Sequence, residues 1–439
     1  MRWLLEGGRV LDPASAIDEV ADVLIENGQI AAVRPGLEVS DIPRVDARGR
    51  VVCPGFVDMH VHLREPGRSD KETVDTGVRA AVRGGFVAVG AMPNTQPPMD
   101  TPEMVESLAR RGRLLGLAHV LPIPCITRGM RGERLAELGL LAAAGAVGFS
   151  DDGRCVMNAQ VMRRALEYAR MLDRPVIGHE EDEHLSNGGA VHEGAHSARL
   201  GLPAMAAAAE EVIVARDVIL AEATGGWLHV AHVSTARSVA IIRDAKARGV
   251  RVTAEVTPHH LLLDDGELGA YDASMKMNPP LREARDRAAL VEALADGTID
   301  CIATDHAPHT TAEKDVEMGC AAFGVIGLET AVPVLLDRLV RTGHISLTRF
   351  VDACSTRPAE ILRYEGGRIA PGRPASLTVL DLEKVEHIAA EAFESKARNC
   401  PFVGWTVQGL PMMTIVDGRI VMRDRTVIDA TESHRQQSP

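Results

Sequence analysis

Hydrophobic and polar positions divide the chain into two end stretches of one texture and a long middle of another. Over residues 1–53 apolar positions recur in short alternating runs. Residues 20–25 (Val-Ala-Asp-Val-Leu-Ile) and 30–33 (Ile-Ala-Ala-Val) flank Asn27 and Gly28, the residues of a two-residue hairpin turn. The same texture returns at 375–380 and at 413–422, the latter with its own Asp417-Gly418 turn. These patterns predict strands at both ends that pair into one small β-sandwich domain of residues 1–53 and 366–430. The polar residues 431–439 are expected to form a disordered tail.

In the middle, apolar runs at 56–59, 85–91, 119–124, 146–149, 174–179, 227–232, 250–256 and 299–305 alternate with helical patterns. Thr101 followed by Pro102 reads as an N-cap with proline at the first helical position, and Asn158 as a further cap. Helices are expected over 133–144, 203–224, 235–248 and 283–296, with stops at Gly225-Gly226, Gly249 and Gly297. Eight strands with helices between them are the arrangement of an α/β (β/α)8 TIM barrel, here assigned to residues 54–365.

Composition narrows the function. A chain of 439 residues that is 46% hydrophobic can bury a large core. Its formal net charge of -13 argues against a nucleic-acid partner and against an anionic membrane, both of which need a positive surface. No signal peptide, transit segment or long apolar run is evident, so a soluble, cytoplasmic protein is expected. Cys53, Cys125, Cys155, Cys301, Cys320, Cys354 and Cys400 include no C-x-x-C pair, which suits a reducing compartment and buried thiols. Cys155, although near a candidate ligand, reads as a small core residue.

The candidate chemistry sits at the ends of the middle runs. Residues 54–64 (Pro-Gly-Phe-Val-Asp-Met-His-Val-His-Leu-Arg) end an apolar run with His60 and His62, which as i and i+2 on a strand point to the same side. His179, His232 and Asp305 each close another run. In a parallel barrel the C-terminal strand ends meet on one face, so these five ligand-type side chains converge. Ser150-Asp151-Asp152-Gly153 closes the fourth run. Asp-Asp-Gly is good turn chemistry, and beside four histidines one of the two aspartates can also bridge a pair of metal ions.

Taken together, residues 54–64, Met92-Pro93-Asn94-Thr95, Ser150 to Gly153, Gly178-His179-Glu180, His232-Val233-Ser234, Thr257-Pro258-His259-His260, Lys276 to Pro280 and Thr304 to His309 resemble a type I dihydroorotase of the amidohydrolase superfamily. The segment 369–375 resembles the stretch that re-enters the small domain. The Pro-Gly-x-x-Asp-x-His-x-His pattern marks only the superfamily, whereas the Asp-Asp-Gly, Asn-Pro-Pro and Asp-His-Ala-Pro-His segments narrow it.

The resemblance implies reversible hydrolysis of a small-molecule substrate, L-dihydroorotate, to N-carbamoyl-L-aspartate in pyrimidine synthesis. It implies two Zn2+ sites: His60 and His62 on one ion, His179 and His232 on the other, Asp152 between them. Asp305 would ligate the first zinc and act as general base. Arg64, Asn94 and His309 would hold the substrate carboxylate, with Asn278 and the Phe323-Gly324 backbone against the ring. Because a carboxylate bridges more weakly than a carbamate, one site can be partly occupied.

Dihydropyrimidinases, hydantoinases and allantoinases share this fold and usually bridge their metals with a carboxylated lysine. This chain has no lysine between Lys71 and Lys246. Some dihydroorotase-like chains have lost their metal ligands and serve as structural partners of aspartate transcarbamoylase; this one keeps every ligand-type residue. A homo-oligomer and a complex with aspartate transcarbamoylase are both compatible with it. His259, His260 and His306 are read as structural, His184, His192 and His196 as solvated in a polar loop, and 310–323 as a candidate flap.

Overall fold

The alternating runs at the two chain ends become strands of one nine-stranded sheet. A computed structural model gives the protein's structure, and residues 2–429 are described; the tail expected at 431–439 lies outside the described residues. Strands Arg2–Asp12, Ile17–Glu26, Gln29–Arg34, Arg44–Asp46 and Val51–Pro54 come from one end, and Leu377–His387, Thr406–Val416, Arg419–Arg423 and Thr426–Val427 from the other. The two sets join where Val51–Pro54 runs antiparallel to Leu377–His387, with Cys53 opposite Thr378. Asn27 and Gly28 have φ of 50° and 84°, and Asp417 and Gly418 have φ of 48° and 74°. Positive φ at both central residues is the tight turn whose twist matches a hairpin. Trp3, Val23, Ile25, Val52, Leu377, Val379, Met413 and Ile415 pack together as this sheet's own core.

Between the ends, eight short parallel strands follow in chain order: β1 (Phe56–Val61), β2 (Phe86–Ala91), β3 (His119–Pro122), β4 (Phe149–Ser150), β5 (Val176–Gly178), β6 (Leu228–Val230), β7 (Val252–Val256) and β8 (Cys301–Ile302). β1, β2 and β3 form one sheet and β4 to β8 another. Hydrogen bonds join them at both edges. Val147 N donates to Pro122 O at 3.1 Å and Ser150 N to Pro124 O at 2.9 Å, while His62 N donates to His306 O at 2.9 Å. Buried Asp58 on β1 reinforces the second edge by accepting from Thr304 Oγ1 at 2.5 Å.

The helices between the strands mostly start and stop where the sequence expects. Thr101 precedes helix Pro102–Leu115, Asn158 caps Ala159–Met171 through its side chain, and Thr235 does so for Ala236–Ala247. Gly225 and Gly297 end Ala208–Thr224 and Ala284–Asp296 in the left-handed conformation.

Four expectations need correcting. The helix expected over 133–144 is only Leu138–Ala143, because the preceding residues fold back, with Ala136 N donating to Ile126 O at 2.9 Å. The one expected over 203–224 begins at Ala208, since Ala204–Met205 is already paired with Val191–His192. That pairing also buries His192, which was expected to be solvated; Arg282 Nη1 lies 3.2 Å from its Nδ1, while His184 is exposed. Six cysteines are buried as expected, but Cys320 is exposed. Among the described residues no helix is long and apolar enough to cross a membrane.

Candidate active site

The C-terminal ends of the parallel strands and the segments that follow them enclose a cavity of about 210 Å³. Its wall includes His62, Arg64, Asn94, Asp152, His179, His232, Asn278, Asp305, His309, Phe323 and Gly324. Of the residues to which the resemblance gives a metal or substrate role, only His60 stays behind the wall, fully buried, with Nε2 3.3 Å from Asp152 Oδ1. A larger cavity of about 360 Å³, walled by Tyr271, Lys314 and Asp315 among others, adjoins across His309 but holds none of the clustered ligand-type groups.

Asp152 is the hub of the cluster. Its Oδ1 is 3.4 Å from His232 Nε2 and 3.5 Å from His179 Nδ1, and its Oδ2 is 3.5 Å from His62 Nε2. Asp305 Oδ1 lies 2.9 Å from His62 Nε2 and 3.5 Å from His60 Nε2. Asp151 points the other way. Its carboxylate accepts from Ile126 N at 2.9 Å, from Thr127 N at 3.0 Å and from the Thr127 hydroxyl, fastening the 126–127 backbone. Of the two aspartates that the sequence leaves open, only Asp152 faces the histidines.

The donor set fits a divalent cation. His60, His62 and Asp305, and likewise His60, Asp152 and His232, bring ligand atoms within 4.8 Å of one another. His60 Nε2 and Asp152 Oδ1, 3.3 Å apart in this cluster, are buried and make no hydrogen bond. Buried polar atoms without partners are costly, and metal coordination satisfies them. Burial opposes ionisation of Asp152, but His60, His179 and His232 outweigh it and hold the carboxyl well below its ordinary range. Burial likewise opposes protonation of His60, and the charges of Asp152, Glu255 and Asp305 outweigh it, raising that imidazole. His62 goes the other way, lowered by burial and by neighbouring Arg64.

Backbone strain gathers at the same place. Arg64, His232 and Asp305 have φ of 61°, 32° and 46°, a left-handed region that bulky residues rarely occupy.

Beside the metal-type cluster stands a cationic wall. Arg64 Nε donates to Pro308 O at 3.1 Å, and its Nη2 lies 3.4 Å from His309 Nε2. Lys71 Nζ lies 3.2 Å from His309 Nδ1, so an obligate donor stands at each ring nitrogen. Burial and the cations Arg64, Lys71 and Lys314 push His309 down to about 3, so the ring is neutral. Asn94 Oδ1 accepts from His62 Nδ1 at 2.7 Å, which turns His62 Nε2 toward Asp305. Gly324, with φ of 126°, comes so close that a Cβ there would lie 2.7 Å from the Ala307 side chain.

The structure also brings in residues that the sequence reading passed over. Glu181 Oε2 lies 3.0 Å from His179 Nε2 and accepts from Asn278 Nδ2 at 2.7 Å. His179 ahead of the other partners outweighs the burial of Glu181 and lowers its carboxyl to about 2. Glu255 Oε1 lies 2.7 Å from His60 Nδ1, and burial of this carboxyl is outweighed by His60 and His229, which bring it to about 2. Its place near the C-terminal end of the run 250–256, where other runs carry their ligand-type residues, is a signal that could have found it. Lys71, in a polar stretch, gives no such signal.

Comparison with known proteins agrees with this geometry. Residues 49–238 match the family described as dihydro-orotase-like. The chain is 52% identical over 427 residues to a dihydroorotase of Pelotomaculum thermopropionicum, covering 97% of this chain and 100% of that one. It is 53% identical over 420 residues to a dihydroorotase of Anaeromyxobacter dehalogenans, covering 95% and 97%. Among solved structures, an L-hydantoinase (dihydropyrimidinase) from Arthrobacter aurescens superposes with a TM-score of 0.87 at 25% identity, covering 97% of each chain.

Proposed function

The chain belongs to the dihydroorotase family, and on that footing we propose that its cavity is the site where the ring amide of L-dihydroorotate is reversibly hydrolysed to N-carbamoyl-L-aspartate. The observation that carries the reading is the pairing of one buried carboxylate-histidine cluster, with unsatisfied atoms, and one cationic wall inside a single small cavity. The first suits an amide carbonyl, the second a substrate carboxylate.

In this reading the eight parallel strands close as a (β/α)8 barrel over residues 54–365, and the end sheet is a small β-sandwich domain of residues 1–53 and 366–430. The edge-to-edge hydrogen bonds at Val147, Ser150 and His62 support closure. Two zinc ions are the proposed cofactors. His60, His62 and Asp305 would hold one, His179 and His232 the other, with Asp152 between them. Zinc in such a site polarises a carbonyl and lowers the pKa of its water to about 7.

The protein's own groups account for the rest. Arg64 offers a planar fork to the substrate carboxylate, and His309 and Asn94 stand beside it. Asn278 and the Phe323-Gly324 backbone flank the ring. Asp305 takes the proton of the attacking water and returns it to the ring nitrogen as the C–N bond breaks, so one carboxylate serves first as base and then as acid.

Hydantoinases and dihydropyrimidinases share the fold, but the absence of lysine between Lys71 and Lys246 leaves no carboxylated lysine to bridge the metals. Chelation tests the metal half of the proposal: activity on dihydroorotate should vanish with the metal and return when zinc is added. Activity that survives complete metal removal would contradict it.

A further inference from the structure

Glu255 is wholly buried in β7 and does not line the catalytic cavity. Its Oε1 lies 2.7 Å from His60 Nδ1 and accepts from the backbone N of His232 at 3.3 Å. Its Oε2 lies 3.2 Å from His229 Nε2, and His229 Nδ1 in turn lies 2.9 Å from Thr253 Oγ1. His229, Glu255 and Cys301 are close enough together to resemble a cation site of their own. Their atoms argue otherwise, because both carboxylate oxygens and both His229 nitrogens already have partners, and Cys301 Sγ contacts Met59 Sδ at 3.4 Å. The unsatisfied atom lies one step inward, at His60 Nε2.

We infer that Glu255 is a positioning residue for the metal centre: it grips the His60 ring through Nδ1–H so that Nε2 faces the cavity side, and it ties the His232 backbone to the same carboxylate. The inference rests on the proposed metal roles of His60 and His232. A carboxylate can only accept, so it fixes the proton of His60 on Nδ1 and makes the imidazole a stronger ligand. His229 holds the second oxygen and stops the carboxylate from turning. One side chain thereby links a ligand of each proposed zinc.

The test is zinc affinity, measured by chelator competition on the full-length wild-type, E255Q, H229Q and H60N proteins, with the melting temperature of each metal-free form. Glutamine keeps the size and one acceptor but removes the charge. E255Q should bind zinc about 10- to 100-fold more weakly, with H229Q showing a smaller loss. At saturating zinc the KM for dihydroorotate should be unchanged, because Glu255 does not reach the cavity. Wild-type zinc affinity in E255Q, with only a lower melting temperature, would overturn the inference by reducing Glu255 to a structural role. If E255Q does not fold, H229Q decides alone, and unaltered affinity there overturns it. H60N separates the two levels: if it too binds zinc like wild type, the metal reading itself has failed.

Discussion

Asp305 and His62 are 243 positions apart in sequence, and Asp305 Oδ1 lies 2.9 Å from His62 Nε2. The contact sets a carboxylate against a proposed metal ligand at the rim of the cavity. Burial would push the Asp305 carboxyl up, but His60, His62 and His232 outweigh it and hold it below the ordinary carboxylate range. An ionised carboxylate beside a proposed metal ligand can accept a proton from water.

Replacing Asp305 with Asn should therefore lower kcat by about a thousandfold while zinc remains bound, since His60, His62 and Asp152 are untouched. Steady-state kinetics with metal analysis on the same sample checks this. A rate within about tenfold of wild type would rule out the base assignment.

The two neighbouring aspartates should separate cleanly. D152N removes the group that faces four histidines and should lower the zinc content of the purified protein. D151N removes the group that fastens Ile126 and Thr127, and should lower the melting temperature while leaving zinc content as it is. A loss of zinc in D151N with none in D152N would reverse the assignment.

Arg64 should act on binding. Lysine keeps the charge but lacks the planar fork, so R64K should raise the KM for dihydroorotate by about tenfold or more at unchanged metal content. An unaltered KM would contradict the proposed carboxylate contact.

Acid sensitivity should trace in part to His260. Its Nδ1 lies 2.8 Å from Thr257 Oγ1 and its Nε2 3.0 Å from Pro279 O. Burial, with the His232 charge second, lowers it to about 4. A histidine whose folded value is depressed is stabilising in full above its unfolded value, about 6.5, and that stability is lost as pH falls toward the folded value. Melting temperatures of metal-free protein should drop between about pH 6.5 and 4, and the drop should be shallower in H260Q. Equal slopes in the two proteins would contradict this.

Much of the site could be read from sequence because its residues carry a local signature. His60, His62, His179, His232 and Asp305 stand at or just past the ends of apolar runs, where packing alone gives no reason for them. Hairpin turns at Asn27-Gly28 and Asp417-Gly418 were legible because their φ values demand those residue types. What escaped depends on partners distant in sequence. His192 sits in a polar stretch, and nothing local says that Arg282 and the 204–205 strand will bury it. Asp151 and Asp152 are adjacent and chemically identical, so spacing alone could not choose between them; the family resemblance favours Asp152, and the backbone amides of the 126–127 segment are what turn Asp151 away. The helix expected at 133–144 has good propensity, but tertiary hydrogen bonds claim its first turns.

The proposed enzyme is a metal-dependent hydrolase whose cavity reads a carboxylate on a cyclic amide. The most direct test is kcat/KM of the zinc-loaded protein for dihydroorotate and for dihydrouracil, which lacks that carboxylate, with hydantoin and allantoin alongside. A site built around Arg64 and His309 should prefer dihydroorotate by about 10⁴-fold. Comparable turnover of dihydrouracil or hydantoin, or no turnover of dihydroorotate by fully loaded protein, would contradict the account.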